Sequence, residues 1–257
     1  MSWLTKLFAA NKKQLNFIFP ERWVDLHSHI LPGVDDGAGT LEESVAMVSY
    51  AAEIGITHIV ATPHFSDLFP TSRENKETAY KALKKAVRDA GIKIEIISGW
   101  EVSFTDIHVK RILDGENFTI SGSNNYTLLE LPNGLNRVTV IEGFFSLMIK
   151  GIKIILAHPE RNSLIQQDID IIKDLRLREV KIQVDAESII GIHGKKAKKI
   201  AFELLKRDEV DVLSSDAHTL MGYKNYNHAC KIINDNFGEE TINKIINIVP
   251  SSIMGIN

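Results

Sequence analysis

Short apolar, β-branched runs recur along this chain, and a longer stretch with helical periodicity follows most of them. The runs are WVDL (23–26), THIVAT (57–62), IKIEIIS (92–98), YTLLEL (126–131), KIILA (153–157), VKIQVD (180–185) and VDVLSS (210–215). They are continuous rather than alternating, as strands covered on both faces should be. Between them TLEESVAMVSYAAEIG opens with Thr40 and Glu43 in capping-box spacing and closes at Gly55. SRENKETAYKALKKAVRDAG runs from a cap at Ser72 to Gly91, VTVIEGFFSLMIKG leads into the fifth strand, and GKKAKKIAFELLKRD leads into the seventh. Strand and helix alternating about seven times restricts the chain to a parallel α/β architecture. A closed barrel and an open doubly wound sheet both satisfy that pattern.

No linker rich in Pro, Gly or Ser divides the 257 residues, so one domain is expected over 23–257, with 223–257 supplying closing helices. Residues 1–22 form an N-terminal extension. Trp3, Leu4, Leu7 and Phe8 fall on one helical face there, which suggests a short helix packed on the domain. The alternative is a membrane-surface or partner-binding helix. The apolar part is too short and interrupted for a secretion signal.

The chemistry-bearing residues sit where the strand runs end. The stretch DLHSHILPGVDDG places His27 and His29 just after the first strand, with Asp35 and Asp36 in the loop. His64 follows the second strand, Glu101 the third, Glu130 ends the fourth and His158 follows the fifth. Asp185 and Glu187 end the sixth, and Asp216 and His218 the seventh. Five of the nine histidines are placed this way, whereas His58, His108, His193 and His228 show no such pattern. In a parallel barrel the C-terminal ends of the strands converge on one mouth, where barrel enzymes keep their chemistry.

Imidazole and carboxylate together suit Zn²⁺, Mn²⁺ or Fe²⁺. The candidates are too many for one ion and reasonable for two or three with a bridging carboxylate. Without cations, several carboxylates in one cleft repel and some must protonate. Asp35, Asp185 and Glu187 are the least secure members: Asp35 has the alternative role of bracing the turn, the other two of supporting ligands or facing substrate. Arg161 lies three residues after His158, and a guanidinium there is shaped for phosphate oxygens, the alternative being a salt bridge to a neighbour such as Glu160. Arg73, Arg137 and Lys195 also fall in loops expected to face the mouth, the equal alternative being solvated surface.

Other chemistries find no support in the residues. Cys230 is the single cysteine, which rules out an internal disulfide and a thiolate cluster and fits a reducing, cytoplasmic compartment. Asn236 stands where a cysteine phosphatase needs its arginine, six residues on. No Gly-x-Ser-x-Gly elbow, P-loop or Gly-x-Gly-x-x-Gly is present. A net charge of −3 gives no reason to expect nucleic acid as a partner, and no apolar run reaches the roughly 18 residues of a membrane span.

In order and spacing, DLHSHILPGVDDG, ATPH, GWEV, LLELP, AHPER and SSDAH resemble the polymerase-and-histidinol-phosphatase (PHP) superfamily. Within it they are most similar to the bacterial manganese-dependent protein-tyrosine phosphatases of the CpsB/CapC/YwqE type, over roughly residues 23 to 250. The resemblance implies a distorted (β/α)7 TIM-like barrel with the metals at the C-terminal end of its strands. It implies one ion on His27, His29, Glu101 and Asp216, a second on Glu101, Glu130 and His158, and a third on Asp36, His64 and His218. It assigns the phosphate grip to Arg161. It also implies Mn²⁺ as the cofactor and, as substrate, a phosphotyrosine protein, a membrane tyrosine autokinase of capsule or exopolysaccharide synthesis; a homo-oligomer is left open. Some relatives carry a second phosphate-binding arginine after the Asp-x-His motif; here Tyr223 and Lys224 stand there instead, and Lys224 would act as a point charge without the planar fork.

The expected reaction is hydrolysis of a phosphate monoester by metal-activated hydroxide, without a covalent intermediate, with Arg161, Asp216 and His218 as its catalytic residues. The acid for the leaving oxygen is open between His218 and Asp185. Two rivals use the same scaffold: a small-molecule phosphatase of histidinol-phosphate type and a nucleic-acid phosphoesterase. A third is a non-catalytic metal-binding scaffold docking a membrane kinase.

Overall fold

The computed structural model describes residues 20–256, so the N-terminal helix expected around Trp3 to Phe8 lies outside the described residues. Nine parallel strands are seen among those residues: β1 (Val24–Ser28), β2 (His58–Ala61), β3 (His64–Phe65), β4 (Glu95–Ser98), β5 (Glu101–Ser103), β6 (Tyr126–Glu130), β7 (Lys153–Ala157), β8 (Lys181–Asp185) and β9 (Val212–Ser214). They form two sheets, β1-β2-β4 and β3-β5-β6-β7-β8-β9.

The two extra strands, β3 and β5, each follow an expected run after a break just past its end. Pro63 has no N–H to give to a ladder. A Cβ on Gly99 would come within 2.8 Å of Val60 Cγ1, so the chain passes too close there for any side chain. Backbone hydrogen bonds nevertheless cross both breaks, Gly99 N to Ala61 O at 2.9 Å and Glu101 N to Pro63 O at 3.2 Å. β2 with β3, and β4 with β5, therefore act as single bent staves. At the other seam Ser28 bridges Ala217, His29 N donates to Ala217 O and Asp216 N donates to His27 O. Seven staves thus close into a barrel, and the open doubly wound alternative falls away.

Helices cover the outside. Leu41–Glu53 starts on the capping box of Thr40 and Glu43 as the spacing foretold, and Ser72 caps Arg73–Asp89. The larger apolar cluster lies between this helical layer and the strands, around Ile59, Leu129, Leu156 and Leu213. A smaller cluster fills the barrel itself: Val24, Leu26, Val60, Leu128, Ile155 and Val212, with Ile253 and Met254 of the last helix, Val249–Met254, packed into it. An interior filled with side chains is a core and not a pore, and it leaves only the opposite rim for chemistry.

Register sets the height of that rim. His64 pairs Glu101, Ser103 pairs Glu130, Glu130 pairs Ala157, and Asp185 pairs Ser214. The residues that end successive staves therefore stand level. A register irregularity between Asp25 and Ser28 also aims His27 inward beside Leu26, toward Gln183. His27 thus lies within β1 rather than after it.

Candidate metal centre

His27, His29, Glu101 and Asp216 meet at the centre of the rim. The His27 and His29 Nε2 atoms are 3.2 Å apart. Asp216 Oδ1 lies 3.2 Å from each of them, and Glu101 Oε2 lies 3.4 Å and 3.5 Å away. Both histidines and Glu101 are buried. His158 Nε2 approaches the other oxygen of Glu101 at 2.8 Å, and His64 Nδ1 reaches Oε2 at 2.7 Å. Asp36 Oδ1 sits 3.4 Å from His64 Nε2 and 3.3 Å from His218 Nε2. The His218 ring stacks on His29 with centroids 4.0 Å apart.

The donor atoms fall into overlapping groups within 4.8 Å: His29, Asp36, His64 and His218; His27, His29 and Glu101; His27, His158 and Asp216; His64, Glu101 and Glu130. These groups include all nine residues expected as ligands. The partition differs slightly from the family-based one, since His29 also joins the outer group and His64 takes the place of His158 beside Glu130. Glu101 Oε2 and Asp216 Oδ1 are buried; among the described residues imidazole nitrogens face them, but no well-formed hydrogen bond satisfies them. Orphaned carboxylate oxygens aimed at facing imidazole nitrogens are costly unless a cation joins them, so the residues fit a metal cluster.

Supporting contacts hold the ligands in position. His27 Nδ1 lies 3.0 Å from Gln183 Oε1, and His29 Nδ1 lies 2.7 Å from Asp35 Oδ2, which also accepts from His64 N. Asp35 therefore orients His29 and braces the turn. His158 (φ 31°) and Asp216 (φ 47°) both hold left-handed backbone, a strained state that concentrates at functional sites.

Electrostatics among these side chains run through protons. Burial pulls His27 down, but Glu101 and Asp216 outweigh it and carry its pKa up to about 9. Burial would raise Glu101 and Asp216; the neighbouring imidazoles instead hold both well below the usual carboxylate range. Burial and the charge of Glu101 raise Glu130. Cations and protons compete for the same atoms.

Arg161 stands beside the cluster. Its Nη1 donates to Asp216 Oδ2 at 2.7 Å and lies 3.4 Å from Asp185 Oδ2, so its salt bridges are to these acids and not to Glu160. Glu160 is buried and accepts from Asp185 N. Arg73 pairs with Glu116, and Arg137 with Asp168 and Asp174, so neither faces the cluster as its loop position suggested. Lys195 is exposed. Lys224 is exposed on the helix Leu220–Phe237, and no described ion pair joins it to the site; Tyr223 beside it is fully buried. Asp185 and Glu187 lie outside the metal-ligand groups. They face His193, at 2.6 Å and 3.8 Å.

Sequence reasoning passed over Gln183 and His193. Gln183 precedes Asp185 by two residues, so strand alternation alone puts both on one face. His193 immediately precedes the helix Gly194–Lys206, in the connection that leaves β8 through the short helix Ala186–Ile190, on the side of the barrel where strands end.

Comparison with known proteins agrees with this geometry. Residues 23–255 match the family described as "Capsular polysaccharide synthesis, CpsB/CapC". The tyrosine-protein phosphatase YwqE of Bacillus subtilis is 28% identical over 220 residues, 84% of this chain and 86% of that protein. The tyrosine-protein phosphatase CpsB of Streptococcus pneumoniae is 27% identical, over 77% of this chain and 83% of the relative. A crystal structure from work on YwqE and CpsB, described as metal-dependent tyrosine phosphatases, superposes with a TM-score of 0.81 at 25% identity, over 91% of this chain and 95% of that one. The chain belongs to the CpsB/CapC family.

Proposed function

We propose that this member of the CpsB/CapC family is a metal-dependent protein-tyrosine phosphatase, with a barrel domain over 23–257 that holds two or three Mn²⁺ ions. The observation that carries the reading is the meeting at one rim of nine ligand-type side chains from six of the seven staves and the loops that follow them, with the Arg161 guanidinium against them. His27, His29, Glu101 and Asp216 would hold one ion, Glu130 and His158 would share Glu101 for a second, and Asp36, His64 and His218 would hold a third. Bound metals in such a site supply activated water and offset charge on phosphoryl oxygens.

The chain's own residues do the rest. Arg161 binds the phosphoryl oxygens, and Asp216 and Asp185 anchor its Nη1 so that less freedom is lost on binding. Phe69, whose ring stacks on His64 at 4.9 Å, adds an apolar flank beside the ligands. Lys224, exposed one turn into its helix, adds a point charge for a phosphoprotein rather than a second fork. The natural substrate in this reading is a tyrosine autokinase of capsule or exopolysaccharide synthesis, met in the cytoplasm; among the described residues no helix is long and apolar enough to cross a membrane.

The test joins elemental analysis to rates on a phosphotyrosine peptide, histidinol phosphate and single-stranded DNA, with Mn²⁺, Zn²⁺ or Fe²⁺ restored after chelation. Peptide hydrolysis that chelator removes and Mn²⁺ restores is the expected result. Preference for either other ester, or activity that survives chelation, overturns it.

A further inference from the structure

His193 lies outside the metal-ligand groups yet is linked to them by a short chain of contacts. Its Nε2 is 2.6 Å from Asp185 Oδ2; the same oxygen is 3.4 Å from Arg161 Nη1; and that nitrogen is 2.7 Å from Asp216 Oδ2. Asp185 is fully buried, whereas the His193 side chain is 25% exposed, so the ring stands at the lip of the cleft.

We propose that His193, oriented by Asp185, hands the proton to the oxygen that leaves phosphorus. The inference rests on the phosphomonoesterase reading above and deepens it by naming an acid.

Asp185 accepts from Nε2, so Nδ1 is the nitrogen that remains to give a proton, and no described hydrogen bond occupies it. One carboxylate fixing a ring through one nitrogen while the other nitrogen works is the arrangement that acid–base histidines use. His218 is differently placed, with Nδ1 at 2.8 Å from Asp216 O and Nε2 at 3.3 Å from Asp36.

The groups around His193 favour its charged form. Burial lowers its pKa and Arg161 repels it; the hydrogen bond and charge of Asp185, aided by Glu187, prevail and raise it above the ordinary imidazole value. Glu187 is itself held by Asn225 of the helix Leu220–Phe237 at 2.7 Å. Glu160, on the turn Pro159–Arg161, fixes Asp185 through its backbone N–H at 3.0 Å. Lys195 and Lys196 follow on the helix that His193 precedes, and both are exposed.

The step balances. The oxygen of water bonds to phosphorus as the phosphorus–oxygen bond to tyrosine breaks and leaves its electron pair on the phenolic oxygen. The Nδ1 proton of His193 moves to that oxygen, giving neutral tyrosine. A proton released by the attacking water returns to the imidazole through solvent, and inorganic phosphate leaves.

The test compares the manganese-loaded wild type with His193→Gln on two aryl esters. One is a phosphotyrosine peptide, whose leaving phenol has a pKa of about 10. The other is p-nitrophenyl phosphate, whose phenol is more acidic and needs less help. His193→Gln should lower kcat on the peptide by about 10²-fold or more, lower it far less on p-nitrophenyl phosphate, and abolish the alkaline limb of the peptide profile. Nuclear magnetic resonance of the chelated protein supplies a readout apart from turnover: the His193 ring should titrate above ordinary histidine, and Asp185→Asn should bring it down. Equal losses on both esters, an unchanged pH profile, or an ordinary titration overturns the proposal. A wild type inactive on both esters removes the phosphatase reading, and the acid with it.

Discussion

The Nε2 atoms of His27 and His29 face each other across 3.2 Å with both side chains buried. Two imidazoles gain little from such an approach by themselves, and Glu101 Oε2 and Asp216 Oδ1 complete the ring without a well-formed hydrogen bond of their own among the described residues. A cation that joins these atoms binds the folded state alone, because the unfolded chain scatters them. Manganese added to chelated protein should therefore raise the melting temperature, and the rise should continue with the logarithm of its concentration above Kd. The gain is about 2.7 kcal/mol at a concentration a hundredfold above Kd. Calorimetry on wild type, His27→Ala and Glu101→Gln checks it. An equal rise in all three would place the ion elsewhere.

Arg161 should be irreplaceable by lysine. Both carboxylate contacts, Asp216 at 2.7 Å and Asp185 at 3.4 Å, are made by Nη1 alone, so the planar fork keeps further N–H donors for phosphoryl oxygens, which an ammonium committed to the same two acids lacks. Arg161→Ala should lower kcat/KM on a phosphotyrosine peptide by about 10²-fold or more, and Arg161→Lys should recover little of it. Metal content by elemental analysis should stay the same in both. Full recovery by lysine would reduce the role of Arg161 to charge alone.

Gly37 is required by packing. A Cβ there would lie 2.1 Å from His29 O and 2.6 Å from His29 Cβ, and both are held by the barrel. The turn cannot simply shift, because Gly37 N donates to Asp35 Oδ1 and Ala38 N to His29 O. Gly37→Ala should cost about 1–3 kcal/mol of stability and weaken the outer ion most, since Asp36 moves with the turn. Denaturation and metal stoichiometry measure the two effects. Wild-type stability and full metal content in the variant would mean that the turn has room after all.

How far the sequence could be read follows from what each signal depends on. Strand–helix alternation depends on local periodicity, and Leu41–Glu53 and Arg73–Asp89 start one residue after their caps as read. The convergence of His27, His64, Glu101, His158 and Asp216 follows from parallel strands alone and needs no side-chain detail. The splits at Pro63 and Gly99 were hidden, since both lay beyond the apolar runs and the second depends on how closely Val60 approaches. His27 reads as lying just past the first strand, whereas the strand continues through it to Ser28 across a register irregularity that composition does not signal. The helix Asp106–Leu113 is too short to display a period. His193 escaped because its meaning lies in Asp185, eight positions earlier and joined to it only in space.

Cys230 should take no part in the reaction. It is fully buried, and burial with the nearby charge of Asp25 pushes its thiol well above the ordinary value, which leaves no thiolate to attack phosphorus. Cys230→Ala should keep wild-type kcat, and alkylating reagents should leave the native enzyme active. A variant that folds, binds manganese and yet fails to turn over would return the nucleophile to sulfur.

Lys76 gives the fold a pH dependence that is separate from the metal cluster. It sits 5% exposed on the helix Arg73–Asp89, donates to the carbonyl of Gly99 and lies 4.0 Å from the centre of the Trp100 ring. Burial, helped by the charge of Arg73, brings its pKa down from 10.5 to about 7. Below about pH 7 both folded and unfolded chains hold the proton, and the whole cost of burying an ammonium is present. Between 7 and 10.5 the unfolded chain holds it and the folded chain does not, so wild-type stability gains with pH across that window. Lys76→Met keeps the apolar stem and removes the charge. The variant should be more stable than wild type below pH 7, and its advantage should shrink as pH rises through the window. Urea denaturation of both proteins from mildly acidic to alkaline pH reads the difference directly. A stability difference that does not vary with pH would mean that Lys76 keeps its proton in the fold, held there by Gly99 and the Trp100 ring.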